Sequence, residues 1–72
     1  MSTSLQRLIE SLLEIALEEL TRRFPNLPLA WAKQFARELV IVAVELANDP
    51  VQREAEIRAL YAKIQSLQEN RE

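Results

Sequence analysis

The sequence predicts an all-α fold: an up-down-up antiparallel three-helix bundle with short loops. Three observations lead there. Apolar residues recur at helical spacing in three stretches of nearly equal length. Two short interruptions containing proline, Pro25-Asn26-Leu27-Pro28 and Asn48-Asp49-Pro50, separate them. No run alternates with period two for long enough to read as a strand. Short connections make neighbouring helices antiparallel. The expected helices cover about 4–24, 28–47 and 50–68, within a single three-helix domain spanning 1–72.

The first helix carries apolar residues at 5, 8, 9, 12, 13, 16, 17, 20 and 24. Thr3 and Gln6 have the spacing of a capping box, in which each side chain satisfies an orphan amide. Glu18 with Arg22 and Glu19 with Arg23 are i,i+4 pairs in the favourable order. The two arginines also suit the negative end of the helix dipole. Pro25 and Pro28 close the segment by pushing the residues before them out of the α region. On a helical wheel the apolar arc covers roughly 200°, about twice what a surface helix needs. Two neighbouring helices are expected to absorb it.

The second helix starts at Pro28 or Leu29, because a missing N–H costs nothing in a first turn. Asn48 is expected in the left-handed position after its end. Asp49 then caps the third helix, with Pro50 at its first position, so the connection is two residues long. The second helix is the most apolar. Trp31, Phe35, Leu39, Val42 and Leu46 form one flank, and Ala32, Ala36, Ala43 and Ala47 form a small-residue seam for close approach. As the middle helix it should bury most of this arc. Ile41 falls outside the arc, among charged and polar residues.

The third helix is simpler. Ile57, Leu60, Ile64 and Leu67 make a narrow 3-4-3 seam bordered by Tyr61. Glu54 and Arg58 are a supportive i,i+4 pair.

Composition bounds the chemistry. The 72 residues are 49% hydrophobic and 28% charged, with a formal net charge of −2. That excludes a charged disordered tail and argues against a nucleic-acid module, which needs a basic patch. A compact chain of this mass is expected to expose roughly 4,600 Å², against about 12,000 Å² unfolded, so one marginal core is the most it can form. The sequence has no Cys, no His and no Gly. Disulfides, thiolate or imidazole metal sites, the commonest general base and glycine phosphate loops are thereby removed. Glu10, Glu14 and Glu18 lie on a polar face and are expected to be solvated, without the burial that tunes a catalytic carboxylate. Lys33 and Lys63 lie on polar arcs, and Ser4, Ser11 and Ser66 have no imidazole to activate them. The expectation is no enzyme, no cofactor and no metal. The longest uncharged stretch, Phe24 to Ala32, has nine residues, far short of the about 20 a spanning helix needs. With no signal-peptide pattern at the N-terminus, the expected protein is soluble and has no membrane partner.

One surface stands out. Val40, Ile41 and Val44 form an i, i+1, i+4 cluster on the second helix, bordered by Lys33, Arg37 and Glu45. An apolar centre with a charged rim is the anatomy of a helix-mediated interface. Trp31 is expected to cap one end of the core, and it is the next anchor if this face is an interface. Lys33 and Arg37 in the N-terminal half of the helix, and Glu45 near its end, oppose the helix dipole. Pairing with Glu18 and Glu19 of the first helix is the expected compensation. The expected site is therefore Val40, Ile41, Val44, Lys33, Arg37 and Trp31, with the Ile15/Leu8 edge of the first helix as an extension, facing a partner protein or a second copy of the chain.

The short Asn48-Asp49 connection with Pro50, the equal helix lengths, the Thr3/Gln6 cap and the Glu18/Arg22 and Glu19/Arg23 pairs resemble those of de novo designed three-helix bundles and designed helical mini-binders. The absence of Cys and His fits the same resemblance. It covers the whole chain and implies a non-catalytic helical interaction module. The alternative is a self-associating helical scaffold with no ligand of its own.

Overall fold

The computed structural model describes residues 2–71. They form three helices, α1 (Ser2–Arg23), α2 (Leu29–Glu45) and α3 (Pro50–Arg71), and no strand among the described residues. The fold is all-α and bundle-like.

The ends of the helices depart from expectation in physically readable ways. α1 begins at Ser2, so Thr3 lies inside the first turn and is not the N-cap; the residue that precedes the helix is outside the described residues. Pro28 is the residue before α2, with φ −56° and ψ 142°, and its carbonyl accepts the Ala32 amide at 2.9 Å. α2 ends at Glu45, two residues early, and the connection to α3 runs over 46–49 rather than 48–49. Asn48 is not left-handed: no described residue has positive φ. The chain turns instead through Leu46, whose amide bonds Val42 O at 3.0 Å, and through Asp49 N to Leu46 O at 3.0 Å. The Arg53 guanidinium reaches back to the Ala47 carbonyl at 3.2 Å and satisfies an acceptor left by the helix end. Asp49 caps α3 as expected, its Oδ1 accepting the Gln52 amide at 3.1 Å.

Ion pairing also shifts. Glu19 holds both Arg22, at 2.6 Å, and Arg23, at 2.8 Å, so Arg22 turns to Glu19 rather than Glu18. These two hydrogen bonds, Arg22 first, lower the Glu19 pKa below its ordinary 4.5.

The core comprises Ala16, Leu20, Leu27, Ala32, Phe35, Ala36, Leu60 and Ile64. Leu17, Phe24, Leu39, Val40, Tyr61 and Leu67 pack around it, half-buried. All eight core residues gather where the end of α1, the start of α2 and the second half of α3 meet. Among the described residues, none of 3–15, 37–59 or 65–70 is fully buried. The small-residue seam is used only in its first half, since Ala32 and Ala36 are buried while Ala43 and Ala47 are exposed.

α2 lies between its neighbours. α1 packs along it, α3 packs on it less extensively, and α1 and α3 bring no Cα atoms within 8 Å of each other. The wide apolar arc of α1 therefore has one backbone neighbour, not the two expected. The molecule measures 46 × 27 × 15 Å, longer than the roughly 33 Å of a 22-residue helix, so the helices do not lie fully abreast.

Candidate interaction groove

Away from the core, α1 and α2 leave an open apolar groove of about 500 Å³ between them. One wall is the first half of α1: Leu5, Leu8, Ile9, Leu12 and Leu13. The other is the second half of α2: Arg37, Val40, Ile41, Val44 and Glu45. Among the described residues, none of α3 lines it. Leu8 is 57% exposed, Ile41 47% and Val44 58%. Val40 is half-buried and joins the groove floor to the edge of the core.

The groove follows from the sequence in two steps. Leu5, Leu8, Ile9 and Leu12 have i, i+3, i+4, i+7 spacing and share one face of α1. Val40, Ile41 and Val44 share one face of α2 for the same reason. The third helix, with its narrow seam, covers the other end, at Leu60 and Ile64.

Of the six residues expected at the site, Arg37, Val40, Ile41 and Val44 come together here. Lys33 lines an adjoining hollow with Glu14, Leu17 and Ala36, which shares Leu13 and Arg37 with the groove. Trp31 is not part of the groove. It lines a third hollow, with Ala30, Gln34 and Phe35 of α2 and Leu67 of α3. Ten positions along a helix carry a side chain about 15 Å and most of a right angle away from Ile41, which explains the separation. The α1 wall was only partly anticipated: of the Ile15/Leu8 edge, Leu8 lines the groove and Ile15, though exposed, does not, while Leu5, Ile9 and Leu12 read as core in a helix thought to have two neighbours. Its signal was the 200° arc itself, too wide for one partner helix.

The electrostatics differ from expectation. Lys33 and Arg37 form no ion pair with Glu18 or Glu19, and the three ion pairs among the described residues each lie within one helix. Arg37 and Glu45 stand eight residues apart on the same groove wall, with Ile41 midway. Among the described residues neither has a hydrogen bond or an ion pair.

Among the described residues no three Asp or Glu side chains gather as a metal site, and no helix is long and apolar enough to cross a membrane. Searches of protein-family models, curated proteins and solved structures return no match.

Proposed function

We propose that this chain is a non-catalytic helical interaction module of the designed mini-binder kind, and that the α1–α2 groove is its binding surface. The observation that carries this reading is the groove: two walls of large aliphatic side chains, open to solvent, with charge at the rim. Apolar surface gathered into one such patch is a feature of binding sites, whereas scattered exposed side chains are ordinary. A helix laid into it would bury Leu8, Ile41 and Val44 together, in the manner of helix-in-groove recognition.

The up-down-up course of the helices belongs to the same reading. Leu5 at the start of α1 shares the groove with Glu45 at the end of α2, and Trp31 at the start of α2 shares a hollow with Leu67 late in α3. A non-catalytic role rests on residue types. Within these 72 residues there is no Cys or His, and Glu19, whose pKa is lowered, is held by two arginines rather than presented to a substrate.

Selection of amphipathic helical peptides from a displayed library against the immobilised chain tests the proposal. Selected peptides should lose binding to the Ile41→Glu and Leu8→Glu variants while helicity and melting stay near the parent values. Peptides indifferent to both substitutions would place the binding surface elsewhere.

A further inference from the structure

We infer that the occupant of the groove is a second copy of the same chain, with α2 crossing its twin antiparallel about a twofold axis through Ile41. The inference rests on the interaction-module reading and names the partner of that surface.

The first support is charge arrangement. Arg37 lies four residues before Ile41 and Glu45 four residues after it, on one wall of the groove. A twofold axis at Ile41 exchanges positions equally spaced about it, so Arg37 of each copy meets Glu45 of the other. Both pairs form at once, and Ile41 meets Ile41. Among the described residues neither charge has a partner in its own chain, and Glu45, in the last turn of α2, stands at the unfavourable end of its helix dipole. An antiparallel copy brings each of them a partner of opposite sign. The ridge 37-41-45 is an i±4 row, the row that interdigitates in the commonest helix–helix packing, at an interaxial distance of about 8–10 Å. Long Arg and Glu side chains span that distance.

The second support is area. The chain exposes 5586 Å². A compact monomer of its mass exposes roughly 4,600 Å². The excess is about 1,000 Å², and a stable interface removes about 800 Å² from each partner. The arrangement is isologous, so it closes as a dimer and leaves no groove to propagate a filament.

Sedimentation equilibrium of the full chain, from micromolar to millimolar concentration, with three charge variants tests this. The parent should show a monomer–dimer equilibrium. Arg37→Glu and Glu45→Arg should each weaken it about tenfold or more, because both cross-pairs become like-charged. An equimolar mixture of the two variants should recover a one-to-one heterodimer, and the doubly reversed chain, carrying both substitutions, should recover the homodimer. Ile41→Cys provides a readout that does not depend on charge. Helices about 9 Å apart with a Cα radius of 2.3 Å bring two Cα atoms on the axis to roughly 4–5 Å, within disulfide range. Diamide oxidation should therefore cross-link Ile41→Cys chains rapidly, and Val51→Cys chains, altered at an exposed position of α3, slowly. A parent that stays monomeric at millimolar concentration overturns the inference, as does a dimer whose mixed charge variants fail to pair. Helical peptides that still bind a monomeric parent through Ile41 would leave the broader interaction-module reading standing. Loss of both would remove it.

Discussion

The guanidinium carbon of Arg23 stands 4.6 Å from the centre of the Tyr61 ring, and this contact joins α1 to α3 through side chains alone. Phe24 supports it with a tilted ring 6.1 Å away. Burial raises the Tyr61 phenol above its ordinary 10.0, while the Arg23 charge pulls it back. A group whose folded pKa is raised contributes stability that is complete below its unfolded value and lost as pH rises through the folded one. The melting temperature should therefore fall above pH 10 more steeply in the parent than in Tyr61→Phe. Arg23→Ala should move the phenol titration higher still, which ultraviolet absorbance of the single tyrosine reads directly.

Glu19 sets the acid side. Its pKa is depressed by hydrogen bonds to Arg22 and then Arg23. The stability it contributes is present above about pH 4.5 and lost as pH falls through the lower folded value. Glu19→Gln should be less stable than the parent at neutral pH and converge with it at low pH. Melting curves of both chains between pH 2 and 7 check the convergence.

Core position should separate large effects from small ones. Ile64 is fully buried, whereas Val51 is 81% exposed. Ile64→Ala should lose about 2–5 kcal/mol, and Val51→Ala about 0.5 kcal/mol or less. For a chain this small the first figure is a large share of total stability. Urea denaturation followed by circular dichroism measures both.

The cap of α3 should be separable from its helix propensity. Asp49→Ala removes the acceptor of the Gln52 amide and should cost about 0.5–2 kcal/mol, while Asp49→Asn, which keeps an acceptor, should cost much less. The same denaturation assay reads the difference.

Periodicity made the three helices legible, because the side-chain repeat of a helix is a local property. The seam of α3 fared well for the same reason: Leu60 and Ile64 are buried and Ile57 and Leu67 half-buried. Helix ends were less legible. Asn48 looked suited to a left-handed residue, but the guanidinium of Arg53, six residues from Ala47, supplies a bond that no pattern at Asn48 announces. The site was half legible. Ile41 declared itself by standing among charged residues, whereas Leu5, Ile9 and Leu12 needed knowledge of where α3 lies. That placement is decided by Phe35 clustering with Leu60 and Ile64, which are distant from it in sequence.

With every sealed side chain collected at one extremity, the three rods resemble a sheaf tied near its base. The loose tips can spread while the knot holds. Backbone amides around Leu8 and Ile41 should then trade their protons for deuterium well before those around Leu20 and Ile64. Whatever closes over the tips would slow that exchange there first.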